Sequence, residues 1–149
     1  MKRILLAEDE APTRRSISIV LNNAGYCLEE AKNGLDALEK LFASQSNSYP
    51  IDLLLTDIFM PGMTGLELID EIQKQGLALS IMVITGYADD RMKAQLLRRG
   101  CSHFIAKPFE PGELLECVAQ ALKEEKQIQT DGDEKTRRQI KDEEKDLVF

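Results

Sequence analysis

Side chains that could do chemistry stand at the ends of short apolar runs in this sequence. Three consecutive acids, Glu8-Asp9-Glu10, follow the first run, and Asp57, Thr85 and Lys107 each follow a later one. Polar residues also mark the ends of strands simply because the core stops there. That explanation is weaker for several carboxylates in one place, because two carboxylates about 4 Å apart repel by about 4 kcal/mol at an effective dielectric of about 20. A divalent cation is their natural complement, and oxygen ligands without a nearby His or Cys favour Mg²⁺.

Phosphoryl transfer is the chemistry that this set of side chains favours. A metal ion and an ammonium group offset the charge of phosphoryl oxygens, and a hydroxyl can donate a hydrogen bond to one of them. The acceptor can be a carboxylate, which then becomes an aspartyl phosphate. Asp57 is a better candidate than Glu8 or Asp9, because it stands alone after the central apolar run. There the metal is expected on one side and Lys107 on the other.

These side chains can meet only if the apolar runs are parallel strands of one sheet. The runs alternate with amphipathic stretches of about ten residues, which predicts βαβ units with helices on both faces of the sheet. Five strands and five helices fit the flavodoxin-like doubly wound α/β fold, strand order 2-1-3-4-5, in which ligands bind beyond the carboxyl ends of the strands. The predicted strands are Arg3 to Ala7, Cys27 to Glu30, Ile51 to Thr56, Ile81 to Thr85 and His103 to Ala106. The predicted helices are Thr13 to Ala24, Leu35 to Ala43, Leu66 to Gln75, Asp89 to Arg99 and a fifth from about Pro111, with Gly25, Gly76 and Gly100 as C-terminal caps.

Composition excludes several classes of protein. The 149 residues match the size of one domain, and the net charge of −7 gives no general attraction for nucleic acid. The basic runs are no longer than two arginines. Three cysteines without a C-x-x-C pair support neither a disulfide framework nor a zinc site. Because there is no signal peptide and no apolar run of about 18 residues, we expect a cytoplasmic chain with no membrane contact.

The composition changes after residue 122. Residues 123–149 hold 7 basic and 9 acidic side chains and too few apolar ones for a second core. We therefore predict one domain over residues 1–122, followed by a charged C-terminal helical extension, linker or tail. The last helix is expected to continue to about Gln129, and a dimerising helix is the alternative for this segment.

The sequence resembles the receiver domain of bacterial two-component response regulators, from Lys2 to about Leu122. Four motifs carry the resemblance, and the one that contains Thr85-Gly86-Tyr87 is most similar to receivers of the nitrogen-regulator type. They are Ile4-Leu5-Leu6-Ala7-Glu8-Asp9-Glu10, Leu55-Thr56-Asp57-Ile58-Phe59-Met60-Pro61-Gly62-Met63-Thr64-Gly65, Val83-Ile84-Thr85-Gly86-Tyr87 and Phe104-Ile105-Ala106-Lys107-Pro108-Phe109.

The resemblance implies a phosphoacceptor and a Mg²⁺ site. Asp57 is implied as the residue that is phosphorylated and as one metal ligand. Asp9 is implied to bind Mg²⁺ directly, Glu8 through water, and Phe59 through its backbone carbonyl. The family more often has Asp where this chain has Glu8, which affects the geometry of the water-mediated contact.

The resemblance also implies a switch. Lys107, which precedes a cis proline in this family, would pair with Asp57 and then with the phosphoryl group, and Thr85 would donate its hydroxyl to a phosphoryl oxygen. Phe104 matches the aromatic residue that turns inward when Thr85 moves, although an ordinary aromatic packed at the sheet edge is the alternative. We assign no role to His103, whose side chain should point the other way along the strand.

The implied function is a phosphorylation-controlled signalling switch, not an enzyme with a separate catalytic domain. A sensor histidine kinase or a phosphotransfer protein would supply the phosphoryl group. The output would be a change in the surface formed by the fourth helix, fifth strand and fifth helix, where a homodimer or an effector could bind. Three other functions fit the sequence less well. An aspartyl phosphatase would need a second Asp at the position of Phe59, and the phosphate of FMN would be repelled by the acids after the first strand. A receiver that is not phosphorylated would not need the complete set of site residues found here.

Overall fold

The computed structural model describes residues 1–130, with the side chains of residues 1–123, and contains one parallel sheet of five strands. The strand order is β2-β1-β3-β4-β5, so the predicted doubly wound topology is confirmed. The strands are β1 (Arg3–Ala7), β2 (Cys27–Ala31), β3 (Leu53–Asp57), β4 (Ser80–Thr85) and β5 (His103–Ala106). The helices are α1 (Ala11–Asn23), α2 (Gly34–Gln45), α3 (Gly65–Lys74), α4 (Asp90–Arg98) and α5 (Pro111–Thr130).

The core lies on both faces of the sheet. Because side chains alternate along a strand, Leu53 and Leu55 of β3 belong to one apolar cluster and Leu54 to another. The first cluster includes Leu21 of α1 and Leu114 of α5, and the second includes residues of α2 and α3. All five residues of β3 are buried, as expected for a central parallel strand. The carboxyl end of this strand is therefore held rigidly.

The boundaries of β3 and β4 differ from the prediction. We expected β3 to begin at Ile51, but it begins at Leu53, because the Asp52 carboxylate accepts the backbone N–H of Arg3 at 2.8 Å. The carboxylate is thus the acceptor for the Arg3 N–H in place of a backbone carbonyl, while the Asp52 N–H still donates to the Arg3 carbonyl at 2.9 Å. The predicted end at Thr56 is also wrong, since Asp57 is the last residue of β3 and pairs in register with Ile84 of β4. β4 begins one residue early, at Ser80, and β2 ends one residue late, at Ala31.

The helix starts differ by one or two residues because capping groups set them. Asn33, Thr64 and Asp89 each stand before a helix and accept a backbone N–H of its first turn. Asp89 is thus a cap and not a helical residue, and Pro12 lies in the first turn of α1, which begins at Ala11 and not at Thr13. The helix ends also differ by one or two residues, since α1, α3 and α4 end one residue before the predicted Ala24, Gln75 and Arg99. Gly25, Gly76 and Gly100 all have positive φ just beyond a helix, as predicted for C-terminal caps, though α2 continues to Gln45.

Helix α5 extends to Thr130, so the predicted continuation to about Gln129 is reached. The rest of the predicted charged segment, residues 131–149, lies outside the described residues. Within the described residues, no helix combines the length and the apolar character needed to cross a membrane.

Candidate functional site

Three acidic residues meet at the carboxyl edge of the sheet. Glu8 and Asp9 follow β1, Asp57 ends β3, and one carboxylate oxygen of each lies within 4.8 Å of the others. β1 and β3 are neighbours in the sheet, which brings these ends together. Glu10, the third acid of the run, is not part of this cluster: it is exposed and stands just before α1. The site therefore has three carboxylates, which we call the acidic cluster.

One ammonium group bridges two of these acids. The Nζ atom of Lys107 donates to Asp57 Oδ2 at 2.8 Å and to Glu8 Oε1 at 2.9 Å. Lys107 is the first residue after β5, and its peptide bond to Pro108 is cis. Burial opposes its charge, but the hydrogen bonds to the two carboxylates outweigh that effect, and the pKa of Lys107 lies above its ordinary value. The amine is therefore charged when it meets the acids.

Glu8 is the least solvated member of the acidic cluster. Only 2% of it is exposed, and its Oε2 atom is buried without a hydrogen-bond partner. Burial raises the pKa of Glu8 from 4.5 to about 7, the hydrogen bond from Lys107 opposes that shift, and the charge of Asp57 adds to it. An unsatisfied buried carboxylate oxygen costs free energy unless a ligand binds it.

Asp57 is buried and oriented by two donors. It is 8% exposed, Ile58 donates its backbone N–H to Oδ1 at 2.6 Å, and Lys107 binds Oδ2. The side chain therefore has a fixed direction at the end of the central strand. The Ile58 contact is a feature that sequence reasoning missed, because it depends on the direction in which the chain leaves β3.

The acidic cluster fits a divalent cation. With all three carboxylates ionised, one ammonium leaves an excess of two negative charges, and the ligand atoms are all oxygens. Hard cations with two charges prefer such donors. The unpartnered Oε2 of Glu8 is a further acceptor that such an ion, or water bound to it, can satisfy. Mg²⁺ is thus compatible with the residues present.

Thr85 is completely buried at the end of β4, between the strands that carry Asp57 and Lys107. Its Oγ1 atom accepts the backbone N–H of Tyr87 at 3.0 Å. A hydroxyl that accepts one hydrogen bond keeps its own proton for donation. Thr85 can therefore act as a donor toward the carboxyl edge of the sheet.

Two exposed aromatic rings stand in the loops after β3 and β4. Phe59 is 53% exposed and Tyr87 is 67% exposed, and their rings meet edge to face with centroids 5.1 Å apart. Phe59 was expected to take part through its backbone carbonyl only, and sequence reasoning missed the ring contact. The pair joins the loop that leaves Asp57 to the loop that leaves Thr85.

Phe104 lies on β5, opposite Val83 of β4, and is half-buried. Its ring packs against the apolar cluster that includes Val83, Met92 of α4 and Cys101. Phe104 thus links β5, which Lys107 follows, to the apolar residues that pack against α4. His103, for which no role was expected, is half-buried on the same strand.

A third missed contact holds the loop between β1 and α1. Arg14 donates from Nη1 to the backbone carbonyl of Glu8 at 2.7 Å, and its Nε atom lies 3.8 Å from Glu30. An arginine five residues after Asp9 gives no signal for this contact in the sequence, because the contact requires the first turn of α1 to fold back over the end of β1.

Comparison with known proteins shows the family of this chain. Residues 4–119 match the family described as response regulator receiver domain. The chain is 37% identical over 122 residues to the response regulator receiver protein CpdR of Brucella abortus, covering 82% of this chain and 98% of CpdR. It is 33% identical over 113 residues to the transcriptional regulatory protein ResD of Bacillus subtilis, covering 76% of this chain but 45% of ResD. The chain therefore spans about half the length of some curated relatives and nearly all of others.

Solved structures show the same fold. The crystal structure of a CheY-like response regulator receiver domain protein from Methanospirillum hungatei JF-1 superposes with a TM-score of 0.75 at 30% sequence identity. The alignment covers 85% of this chain and 98% of that protein.

Proposed function

The chain belongs to the family of response regulator receiver domains, and on that premise we propose that Asp57 is the residue that accepts the phosphoryl group. Members of this family are phosphorylation-controlled switches of two-component systems, which receive phosphoryl groups from histidine kinases. They are signalling switches and not classical enzymes. The observation that carries our assignment is the position of Asp57: it is the acid at the end of the central strand that is held by both the Ile58 amide and the Lys107 ammonium.

The transfer step needs one nucleophile and one leaving group. An oxygen of the ionised Asp57 carboxylate attacks the phosphorus of a phosphohistidine on the kinase or on a phosphotransfer protein. A P–O bond forms, the P–N bond breaks, and the imidazole leaves with the electron pair of that bond. The hydrogen bonds to Ile58 and Lys107 fix the direction of the carboxylate before the donor arrives, which lowers the entropic cost of reaching the reactive geometry.

Lys107 and Thr85 would stabilise the transferred group. The ammonium of Lys107 already touches Asp57 Oδ2 and can move onto a phosphoryl oxygen, while Glu8 keeps it at the site. Thr85 has a hydroxyl proton to donate, since its oxygen already accepts from Tyr87. These residues assist phosphorylation and dephosphorylation of the chain itself, and we propose no separate catalytic site.

The acidic cluster would hold Mg²⁺, with Asp9 and Asp57 as direct ligands, Glu8 through water, and the backbone carbonyl of Phe59 as a further ligand. The bound ion offsets negative charge on the phosphoryl oxygens during transfer. This proposal is supported by the excess of negative charge and by the unpartnered Glu8 Oε2 atom. Without an ion, the approach of a phosphoryl group would add charge to a site that one lysine only partly neutralises.

The response would reach the surface through Phe104. When Thr85 moves toward the phosphoryl group, space opens beside β4, and the half-buried ring of Phe104 can turn inward. Phe104 packs against the cluster that contains Met92, so its movement changes the contacts of α4. We infer that α4, β5 and α5 together form the output surface of the domain, residues 1–122, and that the segment from 123 serves as an extension or linker.

The charges of this surface suit a symmetric homodimer, which phosphorylation would favour through the proposed change in α4. Exposed Arg91 and Arg98 make α4 basic, whereas Glu113 and Glu116 make the outer side of α5 acidic. A two-fold axis that passes beside β5 would place α4 of one copy against α5 of the other. Opposite charges then meet twice, which favours this pairing over an arrangement of like helices.

Mass spectrometry tests the acceptor. With Mg²⁺ and an acyl phosphate as a small phosphodonor, the protein should gain one phosphoryl group that is labile to acid and base. Asp57→Asn should gain none. Glu10→Gln, which removes the exposed acid just outside the acidic cluster, serves as the matched control and should be modified like the original chain. Equal modification of Asp57→Asn and the original chain would overturn the proposal.

The output surface has its own test. Chemical-shift mapping with and without beryllium fluoride, a mimic of the phosphoryl group, should show changes in Phe104, α4 and α5 as well as around Asp57. Changes confined to the loops around Asp57 would leave the acceptor in place but contradict the proposed route to the surface.

A further inference from the structure

Two buried glycines press against the loop that leaves Asp57. Gly65 is the first residue of α3, and a Cβ atom placed on it would lie 2.3 Å from the carbonyl oxygen of Asp57 and 2.9 Å from the Cα of Ile58. Its backbone N–H donates to the carbonyl of Ile58 at 2.7 Å. The start of α3 is therefore in direct contact with the backbone of the proposed acceptor, at a distance that no side chain permits.

Gly34 makes the second contact, near the other end of the loop. It is the first residue of α2, and a Cβ atom there would lie 2.7 Å from the carbonyl oxygen and 2.8 Å from the Cβ of Met63. Met63 belongs to the same loop, between Asp57 and Gly65. The loop over residues 58–64 is thus in close contact with the first residues of two helices, one near each of its ends.

Backbone conformation does not explain these glycines. Four other glycines of the described part of the chain have positive φ, where glycine is favoured for conformational reasons, and Gly34 and Gly65 are not among them. Any residue could adopt their backbone angles. What the structure requires at both positions is the absence of a side chain.

We propose that Gly34 and Gly65 are positioning residues, which set the distance between the acidic cluster and the loop over residues 58–64 by direct backbone contact. The inference rests on the proposed function, since this loop carries the Ile58 amide bound to Asp57 and the Phe59 carbonyl proposed as a metal ligand. Neither glycine touches the reacting atoms. Each acts by fixing the loop that does.

Gly34→Ala is the variant that tests the contact. To reach an ordinary van der Waals distance of 3.4 Å, the Met63 carbonyl must move by about 0.7 Å. A misplacement of about 1 Å at a reacting group costs about a hundredfold in rate, so part of that shift at Phe59 should weaken Mg²⁺ binding and slow phosphorylation by about tenfold. Gly65→Ala has a closer contact with backbone and should have a larger effect. If it does not fold, Gly34→Ala decides alone.

Gly112→Ala is the matched control. Gly112 lies in the first turn of α5, has no positive φ, and a Cβ atom on it meets nothing within 4 Å. The two alanine variants therefore differ in the contact that is made and not in the chemical change.

Two measurements separate a positioning role from a loss of stability. The first is the amide resonance of Ile58 in the metal-free protein, which reports the bond to Asp57 Oδ1. The second is the Mg²⁺ dissociation constant, corrected for the folded fraction. We expect Gly34→Ala to shift that resonance and to weaken Mg²⁺ binding about tenfold, while Gly112→Ala changes neither.

If Gly34→Ala matches Gly112→Ala in both measurements, the inference is wrong, even if Gly34→Ala is less stable. Failure of the proposed function is a different result, namely an original chain that takes no phosphoryl group at Asp57. The Ile58 resonance and the Mg²⁺ titration would still report whether the glycines position the loop.

Discussion

Replacing Glu8 by Gln should change how the stability of the metal-free protein depends on pH. Glu8 is 2% exposed, and its pKa is about 7 in the folded protein against 4.5 for an ordinary Glu. Below pH 4.5 the carboxyl is protonated in both the folded and the unfolded chain and costs nothing. As the pH rises from 4.5 to 7, the unfolded chain releases this proton first, so the free energy of unfolding falls. Above pH 7 the loss is complete.

The magnitude follows from the two pKa values. Each pH unit between them corresponds to about 1.4 kcal/mol, so ionisation of Glu8 removes about 3 kcal/mol of stability by pH 8. Gln at this position cannot ionise and keeps an oxygen that accepts from Lys107 Nζ. We therefore expect Glu8→Gln to exceed the original chain by less than about 1 kcal/mol at pH 5 and by about 3 kcal/mol at pH 8.

Urea denaturation at pH 5, 6, 7 and 8 in the presence of a chelator measures this difference, provided that the slope with denaturant is the same for both proteins. Glu10→Gln is the control: it removes a neighbouring exposed acid and should not diverge from the original chain with pH. Saturating Mg²⁺ should restore the free energy of unfolding of the original chain at pH 8, because a ligand that binds only the folded state stabilises that state. Parallel pH profiles for Glu8→Gln and the original chain would refute the reasoning.

Three further predictions concern the same site. Mg²⁺ should raise the melting temperature of the original chain, and Asp9→Ala should abolish that increase in calorimetry at millimolar Mg²⁺; an unchanged increase would remove Asp9 from the ligand set. Asp57→Asn without Mg²⁺ should stabilise the fold at pH 8 by about 1 kcal/mol in urea denaturation, because it relieves repulsion with Glu8; a clear loss of stability would mean that Lys107 neutralises the site fully. Thr85→Ala should still accept a phosphoryl group by mass spectrometry but lose the chemical-shift changes in α4 and α5, whereas retained changes would exclude Thr85 as the link.

The sequence is informative about this fold because the pattern is repeated. Apolar runs and C-terminal glycines such as Gly25 and Gly76 recur along the chain, so each element supports the assignment of the next. The strand ends were harder to predict. β3 begins at Leu53 because the side chain of Asp52 binds the Arg3 backbone, a contact between residues 49 positions apart that no local pattern records.

Part of the candidate site could likewise be predicted from the sequence, and part could not. The residue types at the strand ends indicate which acids and which lysine could meet. They do not indicate that Glu8 is buried, since the last residue of a strand and the first residue of a loop look alike in sequence. Nor do they indicate that Lys107 binds Glu8 as well as Asp57, because that contact spans 99 residues of chain and depends on the order of the strands. Gly34 gave no signal either, since its neighbour Met63 is close only after folding.

Helix α5 continues beyond its last described core residue, so a small tilt of the helix is larger at its C-terminal end. Leu122 is the last residue of α5 that the described side chains place in the core, yet the helix continues to Thr130. At 1.5 Å per residue, those eight residues place Thr130 about 12 Å from Leu122 along the helix axis. A tilt of about 10° at the packed turns would therefore move the tip by about 2 Å. A small tilt of α5 is thus a larger displacement at Thr130 than at Leu122.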